Sequence, residues 1–253
     1  MKEALISWLA MAAVVYIGLC LMLTLNQRRL IYYPSAPVTA PEEQRRITTP
    51  SGEMVVEVAN PGQAHAVFYF GGNAESVIYG KAALARSLPG CTLYLVNYPG
   101  YGGSEGTPEE SAIHSAALAI YDALAPGHQT ASAIGRSLGG SVAIQLAHQR
   151  PLSRLALLTP FDSMVALARH HYPFFPVSWL LRERYEIVPM ASALHLPTLV
   201  VLAEADRVVP RARSEALIEV LDEPQVVILP GNHNRLAPNA SLAAFFSPLC
   251  GAL

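Results

Sequence analysis

Short runs rich in β-branched and aromatic residues alternate with longer segments of helical pattern along most of this chain, and that alternation constrains the fold more than any other feature. The runs at 54–58, 66–70, 92–96, 131–134, 154–158, 198–202 and 225–229 read as strands. Ala74 to Ser87, Pro108 to Leu124, Leu138 to Gln149, Arg211 to Leu221 and Ala240 to Phe246 read as helices. Strands separated by helix-length connections cannot close as hairpins, so the order predicts a mostly parallel central sheet flanked by crossover helices, the α/β class. The length of 253 residues fits one such domain, and 52% apolar residues against 14% charged supply its core.

Ahead of that pattern lies ALISWLAMAAVVYIGLCLMLTL, Ala4 to Leu25, 22 residues without a charge. As a helix it is about 33 Å long, enough to cross the hydrocarbon of a bilayer. Its length and the lack of an A-x-A-like cleavage site before Asn26 favour an uncleaved transmembrane anchor over residues 1–26; a signal peptide and a buried helix are the alternatives. Lys2 and the amino terminus balance Arg28 and Arg29, so the positive-inside rule leaves the orientation open. Pro34, Pro37 and Pro41 interrupt the following stretch, which reads as a tether over 27–50 leading to a catalytic domain over 51–253.

GRSLGG, residues 135–140, stands between the strand candidate TASAI and the helix candidate LGGSVAIQLAHQ. Strand, sharp turn and helix around G-x-S-x-G is the arrangement that presents a nucleophilic serine, because small flanking residues admit the strained turn. A buried serine in an ordinary tight turn gives the same string, so the partners decide. A serine hydroxyl needs a base to take its proton and a third group to orient that base. Among the histidines downstream, His148 lies in the following helix and His170 and His171 between two strands, whereas His233 follows the final strand in LPGNHNRL, at the sheet edge where ligands bind. Asp206, in LVVLAEADRVVP just past the preceding strand, is the favoured acid; Glu204 and Asp162 are alternatives, Asp162 reading better as a helix cap. The oxyanion requires two backbone N–H groups, for which Leu138, next to Ser137, and Asn73, in FGGNAES after the strand at 66–70, are the candidates.

FGGNAES, NYPGYGGSEGTP, GRSLGG, AEADRVVP and GNHN, in this order behind QRRLIYYP, resemble the membrane-anchored branch of the α/β-hydrolase-domain proteins, which includes serine aminopeptidase-type and generic hydrolases. The resemblance covers nearly the whole chain. It implies an α/β-hydrolase fold with Ser137 as nucleophile, His233 as base, Asp206 as acid, and the Asn73 and Leu138 amides as oxyanion donors. The chain departs from the family at Gly71-Gly72, where a His-Gly pair is common.

The remaining features narrow the function. A net charge of −2 without a basic patch excludes a nucleic-acid partner of the usual kind. Cys20, Cys91 and Cys250 stand far apart, match no zinc or CxxC spacing, and are expected to set neither a disulfide framework nor a redox compartment. No metal or cofactor is expected, since NYPGYGGSEG lacks the G-K-[ST] of a phosphate loop and His170 and His171 are adjacent rather than at ligand spacing. The long stretch between the strands at 154–158 and 198–202 predicts a small cap over about 161–196, whose Phe174, Phe175 and Trp179 are candidate contacts for an acyl chain or a bilayer. The expected activity is cleavage of a carboxylic ester or thioester of a small-molecule or lipid-like acyl substrate through an acyl-enzyme. An amidase or peptidase with the same residues is the enzymatic alternative, and a non-catalytic membrane-bound binding protein on this scaffold the alternative of another class. Because every candidate lies between Asn73 and His233, the site is expected to assemble without the span. Oligomeric state is not fixed by the sequence.

Overall fold

The computed structural model describes residues 1–38 and 43–251. Its centre is an eight-stranded sheet of β1 (Gln44–Thr49), β2 (Gly52–Ala59), β3 (His65–Phe70), β4 (Cys91–Val96), β5 (Thr130–Arg136), β6 (Leu155–Leu158), β7 (Thr198–Ala203) and β8 (Gln225–Leu229). The strands lie in the order β1-β2-β4-β3-β5-β6-β7-β8. The β1–β2 and β2–β4 pairs are antiparallel and the others parallel. This is the α/β-hydrolase fold. The chain moves from β3 to β4 on one side and then to β5 on the other, so the loops leaving β3 and β5 diverge and open a crevice at their carboxyl ends.

Period-two alternation sorts the side chains into one core on each face. Within β3, Phe68 and Phe70 join Ile120 and Val142, while Val67 and Tyr69 join Leu93, Leu95 and Phe246 on the other side. Burial on both faces explains why the inner strands read as nearly unbroken apolar runs. The edge strand β1, QRRITT, was not legible in this way: Arg45, Arg46 and Thr48 are exposed with no alternation, and it is held by its antiparallel register with β2 from Thr49↔Gly52 to Gln44↔Glu57.

The helices are α1 (Lys2–Ile31), α2 (Ile78–Ser87), α3 (Glu110–Leu124), α4 (Leu138–Gln149), α5 (Met164–His171), α6 (Val177–Leu180), α7 (Val188–Ala191), α8 (Arg211–Ile218) and α9 (Asn239–Cys250). Here α2 starts four residues later than Ala74, the sequence-based boundary, because Ala74 has φ +63° and Glu75 turns back to bind the Gly72 amide. Between β6 and β7 the short helices α5, α6 and α7 occupy the stretch read as a cap. Ser163 rather than Asp162 caps α5, accepting from the Ala166 N–H at 3.1 Å.

Two expectations are corrected. The first is the boundary at residue 26, because α1 continues to Ile31 and its last turn is built into the domain. Gln27 is buried, donates to the Leu180 carbonyl at 3.3 Å and accepts from the Arg182 N–H at 2.7 Å. Beyond it, Arg28 pairs with Glu183 at 2.8 Å, and Tyr32 donates to the same carboxylate at 2.6 Å. Pro41 lies outside the described residues. The second correction concerns the cysteines: Cys91 at the start of β4 and Cys250 at the end of α9 form a disulfide across 159 residues, with Cα atoms 4.9 Å apart. Spacing could not show a pairing that arises only when α9 lies beside α2 and β4. Cys20 is a free thiol.

Candidate active site

One residue, Ser137, separates β5 from α4 and carries the whole reversal of direction. Its backbone has φ +50° and ψ −112°, a conformation in which a Cβ is strained and the surroundings must hold it. They do so through its N–H, which donates to the Leu158 carbonyl at 2.8 Å, and its carbonyl, which accepts from the Gly140 N–H at 2.9 Å. A Cβ on Gly135 would fall 2.3 Å from the Gly139 carbonyl oxygen, and one on Gly139 would fall 2.0 Å from that of Phe70. Neither position admits a side chain. Although Ser137 occupies the N-cap position of α4, its hydroxyl makes no capping bond to the helix.

That hydroxyl meets His233 instead, with Oγ 3.0 Å from Nε2. On the far side of the ring, Nδ1 lies 2.8 Å from Asp206 Oδ2. The second carboxylate oxygen of Asp206 accepts from the Val208 and Val209 amides at 2.9 and 2.8 Å. Burial works against ionisation of Asp206, but the hydrogen bond from His233 and the two amides outweigh it and hold the carboxyl below its ordinary range. An ionised carboxylate only accepts. The proton therefore resides on Nδ1, and the Nε2 lone pair is left to accept from Ser137.

The loop leaving β3 flanks the serine, since a Cβ on Gly72 would lie 3.8 Å from Ser137 Cβ. The Gly72 amide is already bonded to Glu75 Oε2 at 2.7 Å. By contrast, the Asn73 and Leu138 amides donate to no protein acceptor among the described residues. The Asn73 side chain is fully engaged: its Oδ1 accepts from the Tyr101 hydroxyl at 2.8 Å and the Tyr33 N–H at 3.1 Å, and its Nδ2 donates to the Ile31 carbonyl. The alternative acids lie elsewhere. Asp162 pairs with Arg213 at 3.0 Å and Glu204 is exposed. Another downstream histidine, His195, pairs with Asp222 at the surface. On the cap, Phe174 and Trp179 are exposed, while Phe175 stacks on Tyr16 of α1 with ring centroids 6.0 Å apart.

Residues 96–241 match the FSH1 serine hydrolase family. An uncharacterised protein of Mycobacterium tuberculosis, Rv2307c, is 34% identical over 246 residues, covering 89% of this chain and 86% of that one. The α/β-hydrolase domain-containing protein WAV2 of Arabidopsis thaliana is 27% identical over 47% of this chain and 45% of its own. The chain belongs to the FSH1 serine hydrolase family. Solved structures agree on the fold of this serine hydrolase. The Pyrococcus furiosus esterase Pf2001 superposes with TM-score 0.69 at 13% identity, covering 86% of this chain and 98% of that one. XC6422 of Xanthomonas campestris, a serine hydrolase without a lid, gives 0.63 at 18% identity, covering 85% and 99%.

Two supports of the hydrolase's site were missed in the sequence. Arg136, immediately before the serine, donates to the His233 carbonyl at 3.0 Å and pairs with Glu75 at 3.2 Å. Glu75 also accepts from the Tyr69 hydroxyl at 2.6 Å, so one ion pair ties the loops after β3, β5 and β8 together. Both residues stand inside the quoted motifs GRSLGG and FGGNAES, but nothing in their spacing shows that they meet. The other support is Glu183, buried in the cap, which joins Arg28, Tyr32 and the Glu110 amide.

Proposed function

We propose that this serine hydrolase cleaves a carboxylic ester or thioester, with Ser137 as nucleophile, His233 as general base and Asp206 as the group that orients it. The observation that carries the reading is the unbroken line of hydrogen bonds from Ser137 Oγ to His233 at 3.0 Å and from His233 to Asp206 at 2.8 Å. As Oγ attacks the carbonyl carbon its proton passes to Nε2, and Asp206 stabilises the imidazolium that forms. The Leu138 and Asn73 amides receive the developing oxyanion. Collapse of the tetrahedral intermediate expels the alcohol or thiol, which takes the proton from Nε2 and leaves an acyl-enzyme. A water deprotonated by His233 then attacks the acyl carbon, and the released serine oxygen takes the proton back. Labelling by a fluorophosphonate probe, compared between the native protein and Ser137→Ala, tests the nucleophile: a label on both proteins would overturn it.

Within the same proposal, α1 is a retained membrane anchor. Its most apolar window has mean hydropathy 2.3 and no buried residue, as for a helix whose surroundings are lipid. The helix runs unbroken into the turn that holds the cap, which supports retention over cleavage. The Cys91–Cys250 bond supports a catalytic domain in an oxidising compartment, since such bonds are rare where thiols are kept reduced. Alkali extraction of membranes checks the anchor; release of the intact chain into the soluble fraction would refute it.

A further inference from the structure

Between α1 and the cap lies a cavity of about 210 Å³. Leu23, Leu30 and Ile31 form its wall on the helix, and Tyr172, Val177 and Leu181 are among the cap residues facing them. Two of the three polar side chains that reach it are spent on protein partners: Thr24 Oγ1 donates to the Cys20 carbonyl at 2.8 Å, and Gln27 is bonded to Thr24, Leu180 and Arg182. The third, Tyr172, is half exposed at the rim, so the lining is mainly apolar. At one end the cavity reaches Ile31, whose carbonyl accepts from the side chain of Asn73, the residue after Gly72 in the loop that flanks Ser137. At the other it reaches Leu23, within the apolar span that α1 presents to lipid.

We infer that this seam is an acyl-chain site, and that the substrate is a membrane-resident ester whose single linear chain enters between α1 and the cap while its carbonyl rests at Ser137. The inference rests on the hydrolase reading above and adds the class of acyl group. A linear chain is the ligand that fits, because it matches an apolar cavity of about 210 Å³ and starts in the phase proposed to surround α1. Placement of the cap agrees: Tyr16 of the span donates to the Phe174 carbonyl at 2.8 Å and stacks on Phe175, so the cap lies directly against the apolar helix.

The test uses the full-length protein in nanodiscs with p-nitrophenyl esters from acetate to octanoate, and compares the native protein with Ala168→Phe, which fills the cavity from α5, and Leu30→Ala, which enlarges it from α1. In the native protein kcat/KM rises by up to about fourfold for each methylene that the seam takes from water. Ala168→Phe should cut the octanoate-to-acetate ratio at least tenfold, and Leu30→Ala should move the best chain to a longer one. A ratio unchanged in both variants, with both folded by thermal unfolding, would overturn the site. Binding of a fluorescent alkyl probe to Ser137→Ala separates this result from failure of the hydrolase reading. Probe binding that is lost in Ser137→Ala/Ala168→Phe upholds the seam even if no ester is turned over. Ester turnover that depends on Ser137 yet shows no chain-length response and no probe binding removes the seam and leaves the hydrolase reading intact.

Discussion

The serine elbow and the seam between anchor and cap are held by opposite means. At the elbow, backbone does the holding: Ser137 is pinned by main-chain bonds to Leu158 and Gly140, and Gly135 and Gly139 are small because backbone atoms lie within 2.3 Å of where a Cβ would be. At the seam, long charged and aromatic side chains do it, drawn from Arg28, Tyr32, Glu110, Glu183 and Tyr185. Main-chain bonds within one supersecondary unit are local and rigid. Side-chain networks joining residues some 150 positions apart, as Arg28 and Glu183 are, form only once the whole domain has closed. The elbow should therefore tolerate loss of its reactive groups without unfolding, and the seam should show its losses mainly in stability.

The largest expected effect breaks chemistry alone. Ser137→Ala should lower ester turnover by about 10⁴-fold or more with the melting temperature unchanged, because its hydroxyl caps no helix. Asp206→Asn should follow, with about a 10³- to 10⁴-fold loss in kcat, since an amide in that place no longer fixes the proton on Nδ1 of His233. Near-native rates in either purified variant would reverse the assignment.

Stability effects come next. Reducing or replacing the disulfide, as in Cys250→Ser, releases a loop of 159 residues. Loop-closure entropy sets an upper bound of about 5 kcal/mol on the loss, and chemical denaturation in detergent with and without reductant measures it. Glu183→Leu strands the Glu110 amide and leaves the Tyr32 hydroxyl with Tyr185 alone, and should cost about 2 to 3 kcal/mol in the same assay. Its turnover should fall far less than that of Asp206→Asn. A Glu183 variant as inactive as Ser137→Ala would erase the contrast between the two regions.

The smallest effect sharpens the comparison through pH. His114, buried against Tyr185 beside the seam, is pushed by burial from 6.5 down to about 4. The unfolded chain thus binds a proton that the folded one refuses, so its share of stability falls as pH drops from 6.5 toward 4 and is intact above that window. Between pH 7 and 5.5 the loss is about 1 kcal/mol, and it should vanish in His114→Phe. Equal pH slopes for the native protein and this variant would show that the histidine is not desolvated.

What the sequence made legible follows the same division. Inner strands announced themselves because burial on both faces leaves an apolar run, and GRSLGG announced a turn because the steric limits on Gly135 and Gly139 are local. His233 and Asp206 could be selected because strand ends are legible and the loops beyond them share one edge. The pairing of Arg136 with Glu75, the Cys91–Cys250 bond and the burial of Glu183 were not legible, since each depends on which distant surfaces meet. Strand β1 was missed for a simpler reason: an edge strand with polar side chains carries no hydrophobic period. The proline-containing stretch also misled, because Gln27 to Tyr33 read as part of a tether while their partners lay far down the chain.

The bond between Cys91 and Cys250 turns most of the catalytic domain into a covalent ring. Ser137, Asp206 and His233 all ride on that ring, whereas Asn73 and α1 hang from it by the chain before Cys91. A protease that nicks one exposed loop of the cap would open the ring without separating its pieces, so the nucleophile stays fastened to its base. A cut between Asn73 and Cys91 would have no such rescue: it would sever the ring's covalent link both to α1, the proposed anchor, and to Asn73, the proposed second oxyanion donor. Where the chain is cut, rather than whether it is cut, then decides if a damaged molecule stays whole.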